Sequence, residues 1–473
     1  MIDLLLKGGV AVLPEGPVAC DIGIDRGIIV SITAQGAEAP TARTTVDTAE
    51  KLLIPGGIDP HIHASWLVPT AADERIMSGS PEQISRAAAF GGTTTLVDFA
   101  TWEEGETLDQ SIARKREHYE GNTYVDYALH CILRGDLPQA VVDQIPAAVV
   151  DGFPSFKVFM TQTTPDRPPQ MMRLGQVSEV LERTSESGGI LAVHAEDDDI
   201  VMFNYRRLRE NDRLAVEHLA EAHNPLSEAV AVQRLIAVAQ RIGGAVYFMH
   251  ISSAEGVDVI RAARRAGLPI YAETLQHYLS FTQDMYARPD GALYHTYPSL
   301  KSESDRQELW RALTEGTLST VATDEMCTTR AVKLRGTTIE DTTGGHAGVE
   351  IRVPLMYGES VVERDFSLTR FVDITSANAA RILGMYPKKG ALQVGSDADI
   401  AVLDTETSWT IALADLHETD YSIFEDWKMA ARCVMTVVRG QIVMQDGELI
   451  GNTDAGRLVR RSIHPDIRTR RLI

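Results

Sequence analysis

Leu52-Leu53-Ile54-Pro55-Gly56-Gly57-Ile58-Asp59-Pro60-His61-Ile62-His63 is the stretch on which the fold of this chain turns. Leu52-Leu53-Ile54 reads as a short buried strand, and Pro55 with two glycines breaks the pattern. Side chains i and i+2 of a strand share a face, so His61 and His63 point together at one spot just past a strand end. Two neutral imidazoles held that way make half of a metal site. Taken alone, His-x-His is better explained by two loop histidines with ordinary hydrogen bonds, so partners are needed further along.

Downstream, between residues 54 and 388, strand-like runs at 95–99, 127–130, 155–159, 190–194, 245–250, 270–273 and 320–324 alternate with helical stretches such as 81–90, 227–242 and 254–266. Repeated strand–helix units predict an α/β architecture with a parallel sheet, and with eight strands a (β/α)8 barrel. A doubly wound open sheet is the alternative, weakened because no Gly-x-Gly-x-x-Gly follows a first strand. Upstream, residues 1–53 alternate apolar runs (Leu4-Leu5-Leu6, Val10-Ala11-Val12, Ile22-Gly23-Ile24) with glycine and acidic turns, the pattern of hairpins. The same texture returns within 389–453, as in Asp399-Ile400-Ala401-Val402-Leu403 and Val434-Met435-Thr436-Val437-Val438. A small sheet shared by the two chain ends, with the barrel inserted between, accounts for both.

The 473 residues carry 44% hydrophobic and 23% charged side chains, the proportions of a soluble globular protein. A net charge of −21 argues against nucleic-acid and anionic-membrane partners. No apolar leader or membrane-length apolar run is found, so a cytoplasmic location is expected. Cys20, Cys131, Cys327 and Cys433 form no CxxC pair and read as free thiols; Cys327 is a pocket wall or a core residue. Residues 454–473 differ from the acidic body. Arg457, Arg460, Arg461, Arg468, Arg470 and Arg471 crowd a basic tail, expected to pack on a neighbouring subunit or to be disordered.

Chemistry-bearing residues fall on the strands. His61 and His63 end the first, Lys157 lies within another, His194 and His250 end two more, and Asp324 ends the last. In a (β/α)8 barrel such ends converge on one site. Each alone has a plain structural explanation, a snorkelling Lys157 or a core His250 for instance, but the set together does not. The set points to hydrolysis by a metal-activated water. A lysine inside an apolar strand is driven towards its neutral amine, which can add carbon dioxide and become a carbamate bridging two cations. His61, His63 and Asp324 would complete one metal's shell, and His194 and His250 the other's. Two metals about 3.5–4 Å apart would hold a hydroxide and polarise a carbonyl. Asp324 would be the catalytic base, taking the water's proton and delivering it to the leaving nitrogen. Nitrogen ligands with carboxylate-type oxygens favour zinc, with manganese, cobalt or iron as substitutes.

At these residues the chain resembles the amidohydrolase superfamily, in its dihydropyrimidinase/hydantoinase branch, which includes allantoinases. The resemblance runs through Gly57 to His63, Gly91-Gly92-Thr93-Thr94, Ser155-Phe156-Lys157-Val158-Phe159-Met160, Val193-His194-Ala195-Glu196, His250-Ile251-Ser252, Glu273 to Leu279, Gly348-Val349-Glu350-Ile351-Arg352 and Lys389 to Asp399. It implies a (β/α)8 barrel beside a β-sandwich made from both chain ends, and a binuclear zinc centre bridged by carboxylated Lys157. It also implies hydrolysis of cyclic amides such as hydantoins and dihydropyrimidines, in a homotetramer or dimer. Departures from the family pattern fall on the substrate pocket. Gln162 stands where a tyrosine usually stabilises the oxyanion, and a glutamine amide can donate a hydrogen bond but no proton. Asp324-Glu325 replaces an Asp-His pair, adding a negative charge near the metals, and Tyr297-Pro298-Ser299-Leu300-Lys301 replaces Ser-Pro-Pro-Leu-Arg. Trp66 is placed to wall the pocket. His277 and Tyr278 are expected as supports around the ligands or as plain structural residues. The expected reaction is therefore opening of a C–N bond in a cyclic amide, imide or ureide small molecule. An acyclic amide, urea or carbamate is the alternative, and a non-catalytic hydantoinase-like scaffold protein the competing class.

Overall fold

Ser155-Phe156-Lys157-Val158-Phe159 shows on five residues how the architecture is made. In the computed structural model, which describes residues 1–68, 75–165, 170–470 and 473, this strand is buried along its whole length. Phe156 and Val158 join the apolar layer shared with the helices. Phe159 joins a separate cluster with Val97, Ala128, Ile190, Ala192 and Tyr247. Period-2 alternation thus sends Lys157 inward with Phe159, into the interior of a cylinder of strands.

The front of the chain supplies β1 (Ile2–Leu13), β2 (Gly16–Asp25), β3 (Ile28–Ala34), β4 (Ala42–Asp47) and β5 (Leu52–Pro55). After β6 (Gly57–Asp59) and a hairpin of β7 (Leu67–Val68) and β8 (Ile76–Met77) come β9 (Thr93–Thr101), β10 (Asp126–Ile132), β11 (Ser155–Phe159), β12 (Ile190–His194), β13 (Val246–Phe248), β14 (Ile270–Leu275) and β15 (Thr320–Ala322). Then follow β16 (Ile400–Asp404), a ribbon of β17 (Trp409–Thr410) and β18 (Lys428–Met429), and β19 (Arg432–Val438), β20 (Gln441–Gln445) and β21 (Glu448–Leu449).

β6 and β9 to β15 pair in parallel and in chain order. The ring closes through the segments that carry the first and last candidate ligands: Ile62 bridges Glu325, and the His63 N–H donates to the Glu325 carbonyl at 2.7 Å. Helices such as Pro81–Phe90 cover the outside; Ser80 caps this one by accepting from the Gln83 N–H, and a proline opens its first turn. Gly91 ends it where a Cβ would lie 2.0 Å from the Glu350 carbonyl oxygen, so only glycine fits.

The end strands join into one nine-stranded sheet, ordered β21-β20-β19-β16-β5-β1-β2-β3 with β4 beside β1. Both chain ends contribute to its core, through Leu4, Leu6, Ile22, Ile24, Ile400, Val402 and Val437. The two apolar runs Leu4-Leu5-Leu6 and Val10-Ala11-Val12 lie on one strand, not on two. The intervening glycines make a bulge between Leu6 and Gly9 instead of a turn. Where sheet meets barrel, Lys389 Nζ contacts Asp126 (2.5 Å), Asp397 (3.1 Å) and Asp399 (2.6 Å).

The basic tail, expected on a neighbouring subunit or without fixed structure, seats its described residues on the chain's own barrel. The Tyr127 N–H donates to the Arg457 carbonyl at 3.0 Å, and the Val459 N–H to the Tyr127 carbonyl at 2.7 Å. Val459, Ile463 and Ile467 complete the interior cluster beside Ala128, Ile190, Ala245 and Tyr271, residues at the N-terminal ends of their strands. Buried Arg461 donates to Ser155 Oγ (2.9 Å) and to the Leu129 carbonyl. The cylinder needs an apolar floor, and this segment is the floor. Arg471 lies outside the described residues. Among those described, no helix is long and apolar enough to cross a membrane.

Candidate metal centre

At the opposite, C-terminal end of the strands the predicted ligands meet. His61 and His63 leave β6 on the same side, and each Nε2 lies 3.0 Å from Asp324 Oδ1. Donor atoms of these three residues all fall within 4.8 Å of one another. Lys157 Nζ is 3.0 Å from His61 Nε2, and it sits over the Phe99 ring at 4.4 Å. The His194 and His250 rings are 4.5 Å apart, and His250 is 5.3 Å from His61. His250 (φ 41°) and Asp324 (φ 51°) both occupy the left-handed region, a conformation that costs about 1–3 kcal/mol and persists where surrounding structure fixes it.

Carboxylates behind the imidazoles set their tautomers. His61 Nδ1 is 2.6 Å from Glu273 Oε1, and Glu273 Oε2 accepts from the Tyr247 hydroxyl at 2.7 Å. His194 Nε2 is 2.8 Å from Glu196 Oε2, and Glu196 Oε1 is 2.9 Å from His223 Nδ1. His61 thereby offers Nε2 to the centre, and His194 offers Nδ1. Burial lowers His63 to about 3 and pushes His194 and His250 down, so these rings are neutral. Burial lowers Lys157 to about 8, against the pull of Asp324 and Glu273. For His61, burial and Lys157 push downward but Asp324 and Glu273 outweigh them, and its pKa is raised. Burial raises Asp324, yet His61 and His63 overcome it and hold this carboxyl well below the usual range.

These observations test whether a metal fits. With Nδ1 held by Glu273, His61 Nε2 lies 3.0 Å from the Asp324 carboxylate oxygen, and the two need a cation between them, either the proton that the raised pKa of His61 supplies or a metal ion in its place. Nitrogen and carboxylate donors in one dry cluster suit zinc and its neighbours. The residues present fit the group.

The substrate-facing predictions divide. Trp66 stands edge-on to His63 at 4.8 Å. Gln162 turns its amide oxygen to the N–H groups of Gln170 (3.0 Å) and Met171 (3.1 Å), while its own N–H donates to Asp198 Oδ1 at 2.7 Å. It is tied into its loop. Tyr297 is buried between His223 (5.0 Å) and His295 (4.6 Å). Glu325 is placed elsewhere than expected: fully buried, it accepts from the N–H groups of Gly348 (2.7 Å) and Val349 (3.0 Å). Burial, reinforced by Glu418, pushes its carboxyl well up, so it brings no negative charge to the ligands. Cys327 is a core thiol, donating to the Glu418 carbonyl at 3.3 Å and pushed up by burial. Glu273, Glu196 and Tyr247 had no assigned role in the sequence reading. A carboxylate inside the apolar run Ile270-Tyr271-Ala272-Glu273 was the available signal.

The sequence profile of the amidohydrolase family matches residues 52–443. The chain belongs to the amidohydrolase family. Among its relatives, a D-hydantoinase of Ralstonia pickettii is 31% identical over 97% of this chain and 99% of its own length. A D-hydantoinase of Streptomyces coelicolor is 32% identical over 97% and 98%. Among solved structures, the dihydropyrimidinase from Brevibacillus agri superposes with a TM-score of 0.91 at 31% identity, covering 97% of this chain and 98% of that one. This amidohydrolase therefore has the barrel with an added end-strand domain that the sequence implied.

Proposed function

We propose that this amidohydrolase opens the C–N bond of a cyclic amide, imide or ureide. The observation that carries the reading is the convergence of His61, His63, Lys157, His194, His250 and Asp324 on one site, carried by five strands or the segments that follow them. Similarity to D-hydantoinases and a dihydropyrimidinase along nearly the whole chain supports the substrate class. His61, His63 and Asp324 would hold one divalent ion, His194 and His250 a second, with N6-carboxylated Lys157 between them; zinc suits this donor set, with manganese, cobalt or iron as substitutes. Such ions polarise a scissile carbonyl and acidify water. Asp324 accepts the proton of the attacking water and passes it to the leaving nitrogen. Glu273 and Glu196 hold the imidazoles in register, and Trp66 walls the pocket beside His63. A cytoplasmic homotetramer or dimer completes the reading.

An acyclic amide, urea or carbamate is the second reading. It is favoured by Gln162, whose amide oxygen is engaged by its own loop where hydantoinases place an oxyanion tyrosine. The test is bound-metal analysis together with turnover, after zinc or manganese supplementation, of hydantoin, dihydrouracil, allantoin, cyclic imides and acyclic ureas. Two metals per chain with turnover of a cyclic compound is expected. Turnover of acyclic compounds alone selects the second reading, and neither metal nor turnover selects a scaffold. Asp324→Asn is expected to lower kcat by roughly 10²–10⁴-fold while part of the metal is retained, measured as kcat beside metal content.

A further inference from the structure

Facing the ligands, the loops that follow β14 and β15 build a wall that the hydrolytic chemistry leaves unused. His277 lies just beyond β14 and His346 in the long loop beyond β15, both at the catalytic end of the barrel. Their rings meet edge to face at 4.2 Å, and the residues are 1% and 3% exposed. Both rings feel the Asp324 carboxylate. His277 Nδ1, His277 Nε2 and His346 Nε2 have no hydrogen-bond partner among the described residues. Every imidazole carries at least one N–H, and a buried donor without an acceptor costs free energy until something fills it.

Behind the pair lies a buried lysine whose pKa burial pushes well down, with no carboxylate to oppose it among the described residues. Lys333 is fully buried, and its Nζ donates to the carbonyls of His295 (3.0 Å), Thr343 (2.6 Å) and Gly345 (2.7 Å). Three acceptors match the three N–H groups of an ammonium, and no carboxylate pairs with it among the described residues. Its anchors belong to the loops carrying His295 and His346, so the amine is fixed behind the histidines. Asp324, the carboxylate these rings feel, is committed to His61 and His63. The wall therefore offers unfilled donors beside a lysine whose ammonium form a nearby anion would stabilise.

We propose that His277 and His346 form a subsite for a carboxylate carried by the substrate ring, away from the bond that is cleaved. This rests on the cyclic-amide reading and narrows it to acidic substrates. A carboxylate would accept from the two imidazoles and balance Lys333, whereas an isosteric carboxamide would gain only the hydrogen bonds.

The test compares 5-(carboxymethyl)hydantoin with 5-(carbamoylmethyl)hydantoin on the metal-loaded enzyme. The corresponding ring-opened products, N-carbamoylaspartate and N-carbamoylasparagine, are compared by calorimetric binding. The acidic member of each pair is expected to be favoured by about tenfold or more, expressed in KM and Kd and not in kcat. His277→Gln, His346→Gln and their combination are expected to collapse that ratio towards one with metal content unchanged. Equal kcat/KM and equal affinity for the two members in the wild-type protein would overturn the subsite, as would a ratio that survives the double variant. Absence of turnover with all hydantoins overturns the cyclic-amide reading instead, and the binding ratio still decides the subsite.

Discussion

Two lysines, each 2% exposed, sit at opposite ends of the same barrel and do different work. Lys389, where barrel meets end sheet, is gripped by Asp126, Asp397 and Asp399, and these carboxylates outweigh burial to raise its pKa. Lys157, among the candidate ligands, touches His61 and the Phe99 ring and has no carboxylate within ion-pair distance among the described residues; burial lowers it to about 8. Depth does not separate them, and the company each keeps does. Three carboxylates make one a permanent ammonium and a structural rivet, occupying a cluster of acids that could otherwise hold a metal. Aromatic and imidazole neighbours make the other an amine whose proton is loosely held, suited to capture carbon dioxide.

The largest expected effect comes from removing Lys157, the candidate bridging ligand. Lys157→Ala should lower kcat/KM by roughly 10³-fold or more with loss of bound metal, and short carboxylic acids should restore part of both; full activity would remove the bridging role. Lys389→Met should leave three acids facing one another and destabilise the fold by about 3–5 kcal/mol in denaturant titrations. The folded fraction should keep its metal and its kcat; a loss of metal there would merge the two roles that the comparison separates. Glu273→Gln should weaken metal binding by about 10–100-fold through misorientation of His61, read by competition with a chelator. The smallest effect concerns Glu418, a buried carboxyl that no lysine among the described residues neutralises. Burial, then the charge of Glu350, raises its pKa from 4.5 to about 8. The folded state keeps this proton while the unfolded chain releases it, so its contribution is full below pH 4.5 and is lost as pH rises through about 8. Thermal melts should show a smaller drop between pH 5.5 and 8.5 for Glu418→Gln than for the parent protein.

Much of this was legible because the strands are short apolar runs ending in chemically active residues. Lys157 stood out as a lysine within an apolar strand, and the other five candidate ligands by their places at or just past strand ends. Glu325 was misplaced because Asp324, past the end of β15, takes a left-handed φ of 51° that breaks the strand alternation, and the next side chain turns to the Gly348 and Val349 N–H groups. The role of Glu273 depends on Tyr247 and His61, which are distant in sequence, and no local pattern carries that pairing. In the tail, the arginines drew attention from Val459, Ile463 and Ile467, whose four-residue spacing was the apolar signal of the floor. Gly8 and Gly9 read as a turn because a bulge and a turn share the same residues.

The floor segment has a mechanical consequence. The chain crosses between end sheet and barrel from β5 to β6, again beside Lys389 on the way to β16, and a third time from β21 into residues 454–470. A hinge needs few tethers, and three crossings, one of them threaded beneath the strands, leave no axis about which the sheet could swing. Whatever opening admits a substrate must come from the loops at the far rim, above a base that stays still.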